Sequence, residues 1–249
     1  MSKYFGGCDV GSTYGKCVIL DEAGAIAGHA TVRSKINPVQ TANEALAAAQ
    51  TGDEVTILAG EYTQNLSVNK AITVVGETDA EGNNLVNFNG KLNVTADGAT
   101  VKNLNFNNGS SSAGYINAKD VLIEGCTVVG GNGFRYCYTS GVVTFKNSVI
   151  TGSTYGIHFD GNAGGEIVID NCVITGWTSF AGTINKVSMT DTSFEEGNYN
   201  YVRFYQSEIV IEGCTFKNNG QAIYFESAQN GLVVNNNTFK IPAGANVIL

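Results

Sequence analysis

The segment Ile209-Val210-Ile211-Glu212-Gly213-Cys214-Thr215-Phe216 contains the pattern that decides the fold. Apolar and outward-facing residues alternate in its first half, as they do in a half-buried strand. A residue type that tolerates a left-handed backbone then follows, and two further inward residues come after it. We therefore expect two short strands on either side of one sharp bend.

The same pattern occurs seven times between residues 99 and 239. Strand-type repeats of a fixed period near 22 residues stack into a β-solenoid, with like residues in columns along the axis. The second apolar residue of each copy is Val101, Ile123, Phe145, Ile169, Met189, Ile211 or Val234, in steps of 22, 22, 24, 20, 22 and 23 residues. The bend residue is Asn103, Gly125, Asn147, Asn171, Asp191, Gly213 or Asn236.

A second inward pair, such as Ile157 with Phe159, supplies another wall in several turns. These repeats resemble the right-handed parallel β-helix of the pectate-lyase-like superfamily, over residues 52–249. The resemblance implies an all-β, single-domain parallel β-helix whose scaffold serves lyases, hydrolases, phage tail proteins and adhesins alike. It predicts the fold without selecting an activity.

Residues 37–51 carry the signals of a capping α-helix before the coil. Asn37 suits the N-cap, Pro38 suits the first helical position and Gly52 suits the stop. Apolar residues recur at helical spacing between them. A helix in this place would cover the unpaired edge of the first turn.

Residues 1–36 lie outside the repeat and predict a β-hairpin or three-stranded flap with a Gly-Ser-Thr turn. The run from Asp9 to Lys16 resembles the first phosphate loop of the acetate kinase/sugar kinase/Hsp70/actin superfamily. More narrowly, it is similar to the activator ATPases of 2-hydroxyacyl-CoA dehydratases and benzoyl-CoA reductases. The resemblance implies nucleotide contacts at Asp9, Gly11, Ser12, Thr13 and Lys16. The family's second phosphate loop does not follow, so we expect a chimeric, truncated N-terminal piece that is not a working ATPase.

Composition limits the partners of the chain. A net charge of −8 and a pI near 4.7 argue against a nucleic acid, because a phosphate backbone requires a basic face. The sequence contains no apolar run long enough for a membrane span, and the N-terminus lacks the apolar run of a signal peptide. We expect a cytoplasmic or virion-associated protein.

Three of the six cysteines share one inward column in alternate turns: Cys126, Cys172 and Cys214. Two turns separate neighbours by about 9.6 Å at the strand spacing, which is too far for a disulfide. We expect these residues to be small buried hydrophobes. The chain has no CxxC motif, and a reducing compartment, or a virion assembled in one, is favoured. No metal or cofactor is predicted.

Two outward columns carry charged or aromatic residues. The column beside the bend alternates in sign over Lys102, Glu124, Lys146 and Asp170, which favours structural ion pairs over catalytic acids. The second column is the candidate ligand site, because aromatic faces, arginine and amide donors suit sugar rings and their carboxylates. Exposed aromatics of ordinary strands would give the same pattern without a ligand. The candidate residues are Tyr155, His158, Asn185, Tyr201, Arg203 and Tyr224.

The sequence favours a non-catalytic structural or binding module with a polysaccharide or glycan as partner, for example in a phage or bacterial surface assembly. Short turns leave no long loops to wall a catalytic cleft. The alternatives are a polysaccharide lyase or glycoside hydrolase acting on the same face, and an ATPase-related fragment. An outward apolar stripe of Val168, Val210 and Val233 makes a homo-oligomer such as a trimer a further candidate assembly.

Overall fold

The computed structural model describes residues 4–10, 14–33, 38–161, 164–195, 202–217, 222–244 and 247. These residues form a three-stranded antiparallel sheet, one α-helix and a parallel β-helix. The β-helix has about eight turns of about 22 residues each, which confirms the predicted fold class. No helix in the described part of the chain is both long and apolar enough to cross a membrane.

The N-terminal sheet consists of β1 (Tyr4–Val10), β2 (Tyr14–Asp21) and β3 (Ile26–Arg33), in that order. Asp9 lies opposite Lys16 in the register of the first two strands, whereas Gly11, Ser12 and Thr13 of the predicted phosphate loop fall outside the described residues.

Cys8 and Cys17 are also opposite each other in β1 and β2, and a disulfide joins them. Sequence reasoning missed this bond, since cross-strand neighbours are identified only once the register is known. The bond does not fit the reducing compartment inferred from cysteine usage, because disulfides persist mainly in oxidising environments.

The helix α1 (Pro38–Ala48) lies against the first turn of the coil, as predicted; the expected N-cap, Asn37, lies outside the described residues. Leu46 of this helix is 4% exposed and belongs to the core. At the C-terminal end of the helix, the Lys70 ammonium group donates hydrogen bonds to the carbonyls of Ala47 and Ala49. These bonds satisfy acceptors that a helix C-terminus leaves without intrahelical partners.

The strands of the coil form three parallel walls, which we call A, B and C. Wall A contains β4 (Glu54–Ile57), β7 (Thr73–Gly76), β10 (Thr100–Lys102), β13 (Val121–Glu124), β16 (Val142–Lys146), β18 (Glu166–Asp170) and β24 (Gly231–Asn235). Wall B contains β5 (Gly60–Tyr62), β8 (Val86–Phe88), β11 (Asn105–Asn107), β14 (Thr127–Gly130), β20 (Ser193–Glu195), β22 (Thr215–Lys217) and β25 (Thr238–Lys240). Wall C contains β6 (Leu66–Val68), β9 (Leu92–Val94), β12 (Ser112–Ile116), β15 (Asn132–Cys137) and β23 (Ile223–Phe225).

Three long strands continue from one wall into the next: β17 (Val149–Asp160) from B to C, β19 (Val173–Thr190) through B, C and A, and β21 (Val202–Glu212) from C to A. The core lies between the walls, where inward residues stack on their counterparts one turn away. On wall B, for example, the rings of Phe194 and Phe216 are 4.8 Å apart and nearly parallel.

The bend between walls A and B matches the prediction at all seven positions. Each bend residue has a positive φ: Asn103 (55°), Gly125 (62°), Asn147 (49°), Asn171 (49°), Asp191 (47°), Gly213 (67°) and Asn236 (55°). At position 125 an added Cβ would lie 2.4 Å from Oδ1 of Asn103, so a larger residue there would require the Asn103 side chain to move.

The inward cysteine column is buried as expected, and its alternation with polar residues has a hydrogen-bonding cause. The backbone N–H of Cys126 donates to Oγ of Ser148 (3.1 Å), and that of Cys172 donates to Oγ1 of Thr192 (3.2 Å). The N–H of Cys214 likewise donates to Oδ1 of Asn237 at 2.8 Å. Burial raises the thiol pKa to about 12 for Cys126 and about 11 for Cys172 and Cys214, which keeps these thiols protonated and unreactive.

The outward columns of wall A are structural, as the charge pattern indicated. Lys102 pairs with Glu124 (2.9 Å) and Lys146 pairs with Asp170 (3.4 Å), each across neighbouring turns. In the adjacent column, Ser188 lies between Val168 and Val210 and interrupts the apolar stripe.

Candidate ligand-binding site on wall C

The predicted column lies on wall C, but its membership differs from the prediction. His158, Ser179, Arg203 and Tyr224 are in register on four successive turns. Asn185 is not among them: its side-chain amide donates to the carbonyl of Gly164 at the next corner. Asn185 directly precedes Lys186, which pairs with Glu166 on wall A, so it lies beyond the residues of wall C. Tyr201 lies outside the described residues.

His158 is buried, which corrects the expectation that it is an exposed ligand contact. Only 6% of the residue is exposed, because the ring centroids of Tyr155 and Tyr136 lie 4.5 and 5.5 Å from that of the imidazole. Its Nδ1 atom accepts a hydrogen bond from the backbone N–H of Tyr136 at 3.4 Å.

Burial also lowers the pKa of His158. Asp160 opposes this shift, while the positive charges of Arg135 and Arg203 add to it. The imidazole is therefore neutral at pH 7.

Four side chains beside His158 form a continuous stack, which we call the wall C stack: Arg135, Tyr155, Trp177 and Arg203. The Arg135 guanidinium lies 4.8 Å from the centroid of the Tyr155 ring, which stacks on Trp177 at 4.9 Å. The Arg203 guanidinium lies 5.4 Å from the centroid of Trp177. The four residues follow one another along the axis, so the faces of both inner rings are covered. Tyr155 therefore does not offer a sugar the open face that the sequence indicated.

Polar contacts hold both ends of this stack. The Arg135 guanidinium donates to the hydroxyl oxygen of Tyr136 at 2.8 Å. At the other end, Arg203 forms an ion pair with Glu226 at 2.5 Å, with 24% and 28% of the two side chains exposed. The cations are thus fixed in position while part of each remains in contact with solvent.

The open aromatic faces of wall C belong to tyrosines in the neighbouring outward column. Tyr138 and Tyr205 are each 42% exposed, and within the described part of the chain neither ring stacks on another side chain. Tyr138 follows Cys137 and Tyr205 follows Phe204, and these two inward residues lie three turns apart in one column through Phe159 and Phe180. Three turns correspond to about 14 Å at the spacing of parallel strands. Sequence reasoning did not bring the two tyrosines together, because only strand pairing aligns them.

The structure also brings a serine next to the histidine, which sequence spacing did not suggest. Ser179 lies between His158 and Arg203 in the column and is fully buried, and its hydroxyl has no hydrogen-bond partner among the residues that the structure describes. A serine beside an imidazole can act as a nucleophile and base pair. Here Nδ1 of His158 already accepts a hydrogen bond, so in the neutral ring the proton is on Nε2. That tautomer cannot take a proton from Ser179 at Nε2.

A metal site is not apparent in the part of the chain that the structure describes. No group of three or more His, Cys, Asp or Glu side chains in those residues comes close enough to hold an ion. The chemistry of wall C therefore rests on its rings, guanidinium groups and hydroxyls.

Comparison with known proteins is consistent with the architecture. A solved structure of the pectin methylesterase from Aspergillus niger, in a penultimately deglycosylated form, has a TM-score of 0.54 at 15% identity and covers 82% of this chain and 83% of that chain. The deglycosylated form of the same enzyme has a TM-score of 0.51 at 16% identity, with 79% and 81% covered. Identities this low show the fold alone, and none of the curated proteins compared matches the chain. The family model described as right-handed β-helix region matches residues 90–248, and the chain therefore belongs to the right-handed β-helix family.

Proposed function

We propose that this chain is a non-catalytic binding module whose wall C holds a polysaccharide or other glycan. The observation that carries the proposal is the pairing of two open tyrosine faces, Tyr138 and Tyr205, with two arginines fixed in the adjacent stack. Sugar rings pack their apolar faces on aromatic rings and present hydroxyl or carboxylate oxygens to arginine.

Preorganisation supports binding at this surface. Ring faces hold both arginines, and each has a polar partner as well: Tyr136 for Arg135 and Glu226 for Arg203. Little side-chain freedom therefore remains to be lost on binding. Tyrosine likewise offers a large contact area with only two rotatable angles. A ligand that runs parallel to the coil axis would contact both open rings and would pass alongside the wall C stack.

The structural neighbours support a carbohydrate-related role by analogy. Both are named as pectin methylesterases, which act on a polysaccharide, and both share the coil architecture. Fold alone does not transfer an activity, so the argument for this chain rests on wall C itself.

Binding can be tested with a glycan array, followed by calorimetric titration of the glycans that bind. Tyr138→Ala and Tyr205→Ala should each weaken binding by about tenfold, because each removes one stacking face. Val233→Ala is the matched control, because this side chain is 43% exposed but lies on wall A. Equal losses in all three variants, or silence on the array with soluble and polymeric glycans, would contradict the proposal.

A polysaccharide lyase or glycoside hydrolase acting on wall C is the second candidate. The observation that favours it is the neutral imidazole of His158 between two arginines, since its Nδ1 atom can take up a proton when the hydrogen bond from the N–H of Tyr136 breaks. An ultraviolet assay for unsaturated uronide release, together with a reducing-sugar assay, distinguishes the two functions. Turnover that is lost in His158→Gln would make the enzyme the better interpretation.

Separate proposals concern the N-terminal segment and the assembly. We infer that residues 1–36 and the helix region 37–51 are units distinct from the coil at 52–249, and that the ATPase-like segment is a chimeric, non-working piece. Micromolar binding of Mg-ATP in a calorimetric titration would contradict this inference. Analytical ultracentrifugation tests whether the chain forms a trimer, as expected of a surface-assembly protein with an apolar stripe.

A further inference from the structure

One corner of the coil departs from the left-handed bend that the seven turns from Asn103 onwards share. Between β7 and β8, residues 77–85 form a loop that closes on itself through an antiparallel bridge between Thr78 and Asn84. The Asp79 carboxylate accepts hydrogen bonds from the backbone N–H (2.7 Å) and the side-chain amide (2.8 Å) of Asn83. It also accepts one from the N–H of Glu81 at 3.1 Å. The loop is therefore held in one shape.

This loop leaves a cleft of about 430 Å³ between itself and the bend column, which we call the amide cleft. Gly125 is one of its lining residues, and Oδ1 of Asn103 lies in the space that a side chain would take there. Clefts of about 300–1,000 Å³ are typical of small-ligand sites. The polar wall consists of Asn83, Asn84, Asn103, Asn105, Thr127 and Asn147.

Part of this wall is fixed by its own hydrogen bonds. The Asn84 amide donates to the carbonyl of Gly125 (2.8 Å) and to Oδ1 of Asn105 (3.1 Å). The Asn105 amide donates in turn to Oδ1 of Asn87 at 2.9 Å. The amide cleft is therefore preorganised by contacts among its own residues.

Two other groups in the wall remain available. Within the described residues, neither the side-chain amide of Asn103 nor the hydroxyl of Thr127 forms a hydrogen bond. Together they offer three donor hydrogens and two acceptor oxygens to the cleft. A ligand with closely spaced hydroxyls matches this set, because each hydroxyl both donates and accepts.

The charges around the amide cleft favour an uncharged ligand. Its lining residues are all uncharged, and Asp79 is used within the loop. Lys102 is paired with Glu124 at 2.9 Å and Lys146 with Asp170 at 3.4 Å, so neither pair offers a free charge to a cation or an anion. We propose that the amide cleft binds an uncharged sugar through its vicinal hydroxyls, independently of the glycan surface on wall C.

Titration of the ¹⁵N-labelled protein with neutral oligosaccharides of glucose, mannose and galactose tests this proposal. Side-chain amide signals in two-dimensional NMR spectra report directly on Asn84, Asn103 and Asn105. We expect saturable shifts of these signals at millimolar sugar. Thr127→Val and Asn103→Gly should each weaken binding about fivefold, as expected for one lost hydrogen bond.

Both substitutions are chosen to preserve the fold. Valine occupies the same column at Val149 and Val173, and glycine occupies the same bend position at Gly125. Their matched controls are Thr238→Val and Asn236→Gly, which make the same changes in the last turn.

The proposal is wrong if the amide signals do not move, or if the control substitutions weaken binding as much as the test substitutions. It is also wrong if glucuronate or galacturonate oligosaccharides bind the cleft more tightly than neutral ones. Tyr205→Ala, which removes a tyrosine of wall C, should leave the titration unchanged, so a failure of the wall C proposal is distinguishable from a failure of this one.

Discussion

Walls A and C are built from the same coil, yet their outward columns behave differently. On wall A, oppositely charged neighbours pair across turns, as Lys102 does with Glu124 and Lys146 does with Asp170. On wall C, cations stack on rings, a neutral histidine is buried and Ser179 has a buried hydroxyl without a hydrogen-bond partner. The charged groups described on wall A pair with one another. Wall C carries polar groups and open rings that the packing of the coil does not require.

This difference shows how a repeat protein can separate scaffold from site. Exposed ion pairs contribute little stability and need only solvent around them. Buried polar groups without a partner cost stability, and in native proteins they call for an explanation such as a ligand. Matched substitutions on the two walls test this contrast.

The largest expected effect comes from two serines of β19, one on each wall. Ser179→Leu on wall C should lower the free energy of unfolding by about 1–3 kcal/mol, because the larger side chain has no space between His158 and Arg203. Ser188→Leu on wall A should change it by less than about 0.5 kcal/mol, since that position is only half-buried. Urea denaturation measures both, and equal losses would remove the distinction between the walls.

A smaller effect is expected from removing one cation on each wall. Arg203→Ala should cost about 1 kcal/mol, because it removes a stacking contact with Trp177 as well as the pair with Glu226. Lys146→Ala should cost about 0.3 kcal/mol, since the pair with Asp170 is exposed to solvent. In high salt the Lys146 effect should disappear and most of the Arg203 effect should remain, as thermal denaturation can check. If high salt abolished the Arg203 effect, the cations of the two walls would stabilise the protein in the same way.

His158 on wall C should make the free energy of unfolding depend weakly on pH. The pKa of His158 is lowered in the folded chain, so below about pH 6.5 the unfolded chain takes up a proton first. The contribution of His158 is fully present above that pH and is lost as the pH falls through the lowered pKa. Urea midpoints between pH 5 and 8 should show this loss in the parent protein, and His158→Gln should remove it. A pH dependence that remains in His158→Gln would show that other groups cause it.

The smallest effect is expected from Ser179→Ala. Removal of a buried hydroxyl without a hydrogen-bond partner should be neutral or slightly stabilising, within about 0.5 kcal/mol. A clear destabilisation in thermal unfolding would show that the hydroxyl has a partner in solution, such as an ordered water. Ser188→Ala on wall A serves as the control.

Local chemistry made much of the fold predictable. The residues at positions 103, 125, 147 and their counterparts tolerate a left-handed backbone, and each adopts one. Alternation of apolar residues likewise identified the inward columns and the buried cysteines. The helix over the first turn followed from its Pro and Gly signals and its apolar spacing.

The candidate site was less predictable, because it depends on strand pairing between residues about one turn apart. The register shift in β17 aligns Ser179 with His158, whereas Asn185 lies beside Lys186 at the start of the wall A register. The closeness of Cys8 to Cys17 depends in the same way on the register of β1 and β2.

The sequence by itself determined the period, the bends and the inward columns of this protein, because each depends on the preferences of a residue and its near neighbours. Only the tertiary structure decided what the outward residues do. It buried His158 under Tyr136 and Tyr155, covered the faces of Trp177 and left those of Tyr138 and Tyr205 open. The physical reason is that the exposure of an outward side chain depends on the size and charge of its neighbours one turn away, and these are set by the register of the strands.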